Sequence, residues 1–292
     1  MIAKRIAKFR PLAFVLPALL FYLVFLVVPI AQTVQFSFFR WDGASPTMDF
    51  VGFANYAKQF RDDVFWRALA HNLFWIVSTI VMPVFAGLVL AVLLSSRAVA
   101  RRMLYRVTFF LPYVISLVAV GVIWNWIYHP DFGIVNAALR SIGLGSLAQP
   151  WLGSETTVLP SLIVAGSWTY YGFCMVIFFA ALQGIDKSYY EVARLEGANP
   201  VQTFFRITVP LLKNTMTLLV LNSLIGSFKV FDLIYLMTKG GPFHSSEVIA
   251  TYMYAQAFRL NDVGYGAAIS VTLAAIIAIC SILYLRFSER ND

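Results

Sequence analysis

Charge is the scarcest property of this sequence. Only 12% of its 292 residues are charged, whereas 60% are apolar and the mean hydropathy is +0.76. A typical soluble domain carries roughly 25% charged residues, and a soluble fold of this length would leave too much apolar surface in contact with water. The composition therefore excludes an ordinary soluble protein and places the chain in a lipid bilayer.

The sequence also lacks the motifs of soluble enzymes. It contains no GxxxxGK[ST] phosphate loop, no HExxH zinc pair, no GxSxG nucleophile turn and no GxGxxG fingerprint. Its three histidines are isolated, and its two cysteines, Cys174 and Cys280, lie within apolar runs, so no disulfide framework is indicated. We therefore expect no catalytic residue, no metal and no ATP site in this chain. If the protein does work against a gradient, an ion gradient or another chain must supply the energy.

Long apolar runs are what the sequence has instead. Six runs are long enough to cross a hydrocarbon core, which takes about 20 helical residues, and five of the six contain no charge. They are continuously apolar rather than alternating, which favours helices over barrel strands. The six are Leu12 to Phe36, Leu73 to Leu94, Val107 to Tyr128, Val158 to Leu182, Thr215 to Tyr235 and Ala267 to Leu285. The sequence predicts an all-α integral membrane protein with six transmembrane helices, forming a single domain over residues 1–292.

The distribution of Lys and Arg predicts the orientation. The connections 1–11, 95–106, 183–214 and 286–292 together hold 14 of these residues in 62 positions, whereas the alternate connections hold 7 in 96. Cytoplasmic loops carry the excess of basic residues. Both termini are therefore predicted to be cytoplasmic, and the first apolar run, too long for a cleavable signal and without a cleavage site, is predicted to stay as a span.

The cytoplasmic connection 183–214 is unusually long and carefully punctuated. Ser188 and Glu191 stand at capping-box spacing, which predicts the start of a short helix. Gly197 falls where a left-handed residue would end that helix, and Asn199-Pro200 predicts the cap and first turn of a second helix. A simple connector needs far fewer than 32 residues, so the segment is predicted to dock a cytoplasmic partner.

The same segment carries a family resemblance. Glu191-Val192-Ala193, then Gly197, then Ile207-Thr208-Val209-Pro210 resembles the EAA…G…I-LP signature of membrane subunits in binding-protein-dependent ABC importers. Two positions depart conservatively from the signature, Val192 and Val209. In that family the loop forms the coupling helix that sits in a groove of the ATPase subunit. The resemblance implies that coupling role for Glu191, Ala193, Gly197, Ile207 and Pro210; the alternative is that Glu191 only caps its own helix.

A second stretch narrows the resemblance to carbohydrate uptake. The sequences FKVFDLIYLMTKGGP, from Phe228 to Pro242, and TYMYAQAF, from Thr251 to Phe258, are similar to permeases of the oligosaccharide and glycerol-phosphate type. The resemblance implies a permease of the bacterial cytoplasmic membrane that works with a second, different permease subunit, two ATPase subunits and an external sugar-binding protein. It implies that ATP and Mg are used by the partner ATPase subunits and that this chain holds no cofactor.

Lys229 and Asp232 are the only charged residues inside any predicted span. They would lie toward the outer end of the fifth helix, where they could pair at i,i+3 beside the sugar path. The alternative is that both side chains extend to the outer headgroups. A rival function uses the same pair as the coupling site of an ion-driven secondary transporter, but it leaves the 183–214 segment unexplained.

Aromatic residues are concentrated toward the same end of the spans. Most of the seven Trp are predicted to form an interfacial belt. Four aromatic residues lie deeper in the spans or nearer to the charged pair, and we keep them as candidates to stack on a sugar in the substrate path. They are Trp168, Tyr170, Tyr171 and Tyr235.

Overall fold

The computed structural model describes residues 15–96 and 99–289. Their regular structure is helical apart from one hairpin, in which β1 (Phe39–Arg40) pairs antiparallel with β2 (Asp49–Phe50). The helices are α1 Val15–Phe36, α2 Ala54–Phe60, α3 Asp63–Ser95, α4 Arg102–Val114, α5 Leu117–Ile127, α6 Ile134–Ser141, α7 Val158–Gln183, α8 Ser188–Leu195, α9 Pro200–Leu211, α10 Lys213–Phe228, α11 Asp232–Met237, α12 Ile249–Tyr254 and α13 Val263–Glu289. The mostly helical class predicted from the sequence is confirmed.

Four of these helices are each long and apolar enough to cross a membrane: α1, α3, α7 and α13. They contain four of the six predicted spans, although residues 12–14 of the first lie outside the described residues. Two further candidates are bent pairs: α4 and α5 meet at 97°, and α9 and α10 meet at 70°. The described chain therefore holds four candidate spans, or six if each bent pair counts as one.

The predicted third span is not one straight helix. α4 contains Pro112, and the chain is extended at Ile115 and Ser116 before α5 begins. The Ser116 hydroxyl then caps α5 by accepting a hydrogen bond from Ala119 N at 3.4 Å. A proline removes one helical hydrogen bond and its ring clashes with the preceding turn, so a break close to Pro112 costs less than a break elsewhere in the run.

The predicted fifth span also ends early, at Phe228. The backbone leaves helical geometry after Lys229, and α11 starts at Asp232. In one continuous helix, Lys229 would share a face with Leu233, and Asp232 would share a face with Phe228. Phe228 and Leu233 are buried, whereas both charged residues are exposed. The break resolves this conflict because it rotates the two halves independently.

Other prolines widen a helix without breaking it. Turns of π-helix occur at Leu23–Val27, Ile80–Val84 and Phe204–Thr208, each around or just before a proline. A proline ring clashes with the carbonyl group four residues earlier, and a wider turn moves that carbonyl aside. Prolines in the described helices thus accompany a π turn in some helices and a break in another.

The described residues form two compact units, one of residues up to Asp62 with Met253–Ala275, and one of Asp63–Tyr252 with the end of the chain. In the second unit, α7 is the central helix, and α3, α4 and α10 pack against it. Gly172 permits the close approach of α4, because a Cβ at that position would lie 1.9 Å from the Phe109 carbonyl oxygen. Any side chain at residue 172 would push α4 away.

Buried polar residues fix the connections within each unit. Asn72 on α3 is fully buried; its Nδ2 donates to the Ser227 carbonyl at 2.8 Å and its Oδ1 accepts from Ile249 N at 2.9 Å. In the first unit, Asn55 donates to the carbonyl oxygens of Ser37 and Phe39, both at 2.9 Å. Each amide satisfies backbone groups at the ends of regular elements, where helices and strands leave them unpaired.

Candidate functional site

Residues 183–214 fold into two short helices, α8 and α9, as the sequence predicts. α8 is not capped by the predicted box, however. Ser188 lies inside the helix, and its backbone N–H donates to Asp186 Oδ1 at 2.9 Å. This backbone hydrogen bond lowers the pKa of Asp186, so the cap remains a carboxylate at neutral pH. The predicted Ser188 and Glu191 box is wrong because an aspartate two residues earlier caps the helix instead.

The C-terminus of α8 confirms the predicted left-handed helix ending at Gly197. Its φ is +75°, a left-handed conformation that glycine adopts without steric cost. Gly197 N donates to the Arg194 carbonyl at 3.1 Å, and Ala198 N donates to the Ala193 carbonyl at 2.9 Å. This pair of bonds is a Schellman motif, and it reverses the chain into α9.

The predicted start of the second helix is also confirmed. Asn199 Oδ1 accepts from Gln202 N at 2.8 Å, and Gln202 Oε1 accepts from Asn199 N at 3.0 Å. Pro200 occupies the first turn, where its missing N–H costs nothing. The turn between α8 and α9 is therefore fixed at both ends by its own sequence.

α8 presents large apolar side chains to the outside. Tyr189, Val192 and Leu195 follow one another at three-residue spacing and are 53%, 56% and 87% exposed. On α9, Val201 and Phe205 are 64% and 61% exposed. A patch of this kind is unusual on a polar loop and marks an interaction surface.

The five residues matched to the coupling signature lie within this segment but differ in exposure. Ala193 is buried on the inner side of α8, Ile207 is half-buried, and Glu191, Gly197 and Pro210 are exposed. Across the described ranges 15–96 and 99–289, the Glu191 carboxylate has no hydrogen bond or ion pair. Because the Glu191 carboxylate does not bond to the first turn of α8, the alternative that Glu191 only caps its own helix does not explain this residue.

The candidate path residues on α7 are held by neighbours. Trp168 packs edge to face on Trp124 with ring centroids 5.9 Å apart, and Tyr171 does the same with Phe109 at 6.3 Å. The Tyr170 hydroxyl accepts a hydrogen bond from Asn222 Nδ2 at 2.9 Å. The aromatic residues are thus not free in lipid but belong to the packed side of α7.

Asn222 on α10 is a residue that the sequence analysis missed. It is exposed although it lies inside a predicted span, and Gly226 and Lys229 continue the same exposed row at helical spacing. A polar amide in an apolar run is costly unless it faces protein or a wet cavity. That cost is the signal in the sequence that could have identified it.

The structure does not pair Lys229 with Asp232. Lys229 follows the last turn of α10 and Asp232 opens α11. Within the part of the chain that the structure describes, no ion pair or hydrogen bond joins the two side chains. The predicted i,i+3 pairing on one helix is wrong because the helix ends between them. The fourth path candidate, Tyr235 on α11, stacks on Phe231 with ring centroids 5.0 Å apart.

The missing ion pair predicts additive mutational effects. We expect the effects of Lys229→Met and Asp232→Asn on uptake to sum in a double-mutant cycle, with an interaction term within about 0.5 kcal/mol. The measurement is the initial uptake rate of the four variants in membrane vesicles. Tyr170→Phe and Asn222→Leu form the matched cycle, and their hydrogen bond should give a larger interaction term. A strong coupling between residues 229 and 232 would show that they compensate each other after all.

Comparisons with known proteins agree over nearly the whole chain. Residues 83–292 match the family described as binding-protein-dependent transport system inner membrane component. The chain is 38% identical over 281 residues to YurN of Bacillus subtilis, a probable ABC transporter permease protein, covering 96% of both chains. It is 31% identical to SmoG of Agrobacterium fabrum, a sulfoquinovosyl glycerol transport permease, covering 94% of this chain and 89% of SmoG. It is 30% identical to NgcF of Streptomyces coelicolor, a diacetylchitobiose uptake permease, covering 93% and 80%.

Solved structures give the same result for the fold. A chain of a bacterial ABC transporter involved in import of the acidic polysaccharide alginate superposes with a TM-score of 0.87 at 25% identity, over 99% of this chain and 98% of that one. A second structure, of the alginate transporter with an alginate-pentasaccharide-bound periplasmic protein, gives 0.85 at 25% identity over 98% and 96%. The fold is that of ABC importer permeases. The chain belongs to the family of binding-protein-dependent transport inner membrane components and is a multi-pass inner-membrane protein.

Proposed function

We propose that this chain is the permease subunit of an ATP-driven importer for a sugar or oligosaccharide. The single observation that carries the proposal is the match of its whole length to a permease chain of an alginate importer. Relatives named for sulfoquinovosyl glycerol and diacetylchitobiose uptake support the same class of substrate. The sequence stretches from Phe228 to Pro242 and from Thr251 to Phe258, which are similar to carbohydrate-uptake permeases, independently indicate a sugar as the substrate.

Coupling to ATP hydrolysis is assigned to residues 183–214. The exposed side chains Tyr189, Val192 and Leu195 supply an apolar surface for a groove on an ATPase subunit, and the unpaired Glu191 offers a carboxylate to a basic group there. The rigid turn at Gly197 transmits movement of α8 to α9 and so to α10. When ATP closes the two ATPase subunits, the coupling helices of the two permease subunits approach each other, and the spans rotate from inward-facing to outward-facing.

The topology proposed for the chain has six spans. The bent pair α4 with α5 counts as one span and α10 as another, alongside the four long helices, while α9 belongs to the 183–214 segment. The excess of Lys and Arg in alternate connections then places both termini and the 183–214 segment in the cytoplasm. In this arrangement the Lys229 and Asp232 end of α10 faces outward.

The proposed assembly contains a second permease subunit, two ATPase subunits and an external sugar-binding protein. The exposure of α1 is an argument for the second permease subunit. This helix is long and apolar, and no residue of its apolar stretch is buried within the described chain, so a face is left for another subunit. The structure of a similar transporter with a periplasmic binding protein supports the external partner. ATP and Mg act on the ATPase subunits, and this chain serves as a transport subunit rather than an enzyme.

The substrate path is proposed to run along the exposed row of α10 and the aromatic residues of α7. The Asn222 amide and Tyr170 hydroxyl offer donors and acceptors for sugar hydroxyls, and Trp168 offers an aromatic face. Lys229 lies at the end of that row, Asp232 and Tyr235 follow on α11, and Tyr171 remains a candidate on α7. An ion-coupled transporter would need Lys229 and Asp232 as its coupling pair, and their lack of contact weighs against it.

The test of the sugar assignment is a ligand screen on the companion binding protein. The protein is identified by co-purification with the assembled transporter, and its melting temperature is measured with neutral sugars, acidic sugars, amino acids and peptides. Because binding the native state raises stability, one sugar class should raise the melting temperature by several degrees. A response to amino acids or peptides alone would contradict the proposal.

A further inference from the structure

The connection between α5 and α7 is tied together by one buried polar side chain. Asn136 is 1% exposed and its side chain makes four hydrogen bonds. Nδ2 donates to the carbonyl oxygens of Pro130 and Gln149, both at 3.0 Å, and Oδ1 accepts from Trp151 Nε1 at 2.7 Å and Gln149 N at 3.3 Å. A single buried amide therefore holds residues 130–151 in one conformation, so the side chains on the outside keep fixed positions.

The outside of this connection is apolar. Five large side chains between residues 132 and 147 are strongly exposed, and together they are called the loop patch. They are Phe132 at 65%, Ile134 at 67%, Ile142 at 67%, Leu144 at 45% and Leu147 at 54%. Such a concentration of exposed aliphatic and aromatic side chains on a rigid loop indicates a surface that is covered in the native environment.

The charges of the segment argue against a polar partner. Residues 132–147 contain one charged side chain, Arg140. Its guanidinium donates to the backbone carbonyl oxygens of Asp131 at 3.3 Å and Pro130 at 3.1 Å. Transient protein interfaces have a polar rim, and steering by charge requires charged groups on both surfaces. The exposed charged residues at the loop patch are limited to Asp131 beside it and Arg140 within it, and Arg140 already bonds to the backbone, which favours a hydrocarbon surface over a docking protein.

An exposed apolar stripe on α5 precedes the loop patch in the chain. Val118, Val122 and Trp126 follow at four-residue spacing and are 58%, 54% and 70% exposed. The opposite side of α5, with Val120 and Trp124, is buried in the protein core. α5 is the second half of a bent candidate span, and a tryptophan at the end of a span is typical of the membrane interface.

We propose that the loop patch is a membrane anchor that lies in the interfacial region of the leaflet reached by α5. Its occupant is lipid at the boundary between headgroups and acyl chains. Amphipathic segments with aromatic and aliphatic side chains on one side bind at that depth. In this loop the polar side chain of Asn136 is buried rather than part of an exposed polar face. Arg140 donates its hydrogen bonds to the backbone carbonyl oxygens of Pro130 and Asp131. The inference does not depend on the transported compound or on which leaflet α5 reaches.

The anchor can be tested by the depth of spin labels in phosphatidylcholine vesicles. Single cysteines at Ile142 and Leu147 are introduced after replacing Cys174 and Cys280, and each is labelled with a nitroxide. Because an interfacial label meets oxygen more often than a water-soluble nickel chelate, we expect severalfold lower collision with nickel than at the control Glu155→Cys. That control lies in the same loop and is exposed and polar.

A second measurement uses the unchanged protein. A membrane-partitioned diazirine is photolysed in vesicles, and labelled peptides are located by mass spectrometry; residues 132–147 should be labelled. High nickel access and no labelling would place the patch in water, and low access to both oxygen and nickel would show that protein covers it. Either result overturns the proposal. Both measurements are repeated on the assembled transporter, where a loss of labelling would identify a partner subunit as the occupant.

Discussion

The purified chain is expected to hydrolyse no ATP, whereas the assembly with its companion permease and ATPase subunits should hydrolyse ATP when the loaded binding protein is added. The sequence contains no phosphate-binding loop, yet α8 carries exposed apolar side chains and a Glu191 that is unpaired among the described residues, which we propose dock an ATPase subunit. Only the assembly connects the outer loops with nucleotide sites. The measurement is phosphate release in proteoliposomes, with and without the binding protein.

Uptake in the same proteoliposomes separates the two classes of transporter. Accumulation of substrate should require ATP on the ATPase side and should persist in the presence of a protonophore or a sodium ionophore. The control is the chain alone under an imposed proton or sodium gradient without ATP. If the chain alone accumulates substrate there, the importer proposal fails, and Lys229 and Asp232 become the first candidates for ion coupling.

Gly197→Val is expected to uncouple hydrolysis from transport. Gly197 has φ +75°, and a Cβ there would meet nothing within 4 Å, so the cost comes from the backbone alone. A left-handed conformation costs a non-glycine residue about 1–2 kcal/mol, and more for a β-branched one. The native turn between α8 and α9 should therefore be populated roughly tenfold less, since 1.4 kcal/mol corresponds to a factor of ten. Because this turn is proposed to couple the two helices, uptake should fall by a similar factor.

The matched control for this variant is Gly143→Val. Gly143 has φ +82° and equally open surroundings, so the substitution strains the backbone similarly, but it lies in the loop between α6 and α7. We expect Gly143→Val to keep coupled transport, while both variants insert into the membrane at normal levels. Normal uptake by Gly197→Val, or an equal loss in the two variants, would remove the coupling role from the α8 turn.

Local features of the coupling segment could be predicted because they depend on short-range chemistry. The left-handed Gly197 and the Asn199 and Gln202 box each satisfy backbone groups within a few residues. Where two local solutions competed, the sequence alone misled. Asp186 and Ser188 both had a side chain suited to capping α8, and in the structure Asp186 accepts the hydrogen bond from its first turn.

The sequence by itself determined the membrane class and the approximate limits of the apolar helices, because hydrophobic length follows directly from the bilayer thickness. Only the tertiary structure decided where those helices break. Hydropathy contains no information about helix direction, whereas α4 is directed by its contact with α7 at Gly172 and α5 by its contacts with α11. Similarly, the sequence predicted that Lys229 and Asp232 lie on one helix, because their spacing of three residues allows them to share a helix face. Burial of Phe228 and Leu233 required the chain to turn between the two charges, since a straight helix would have buried a charge or exposed the core.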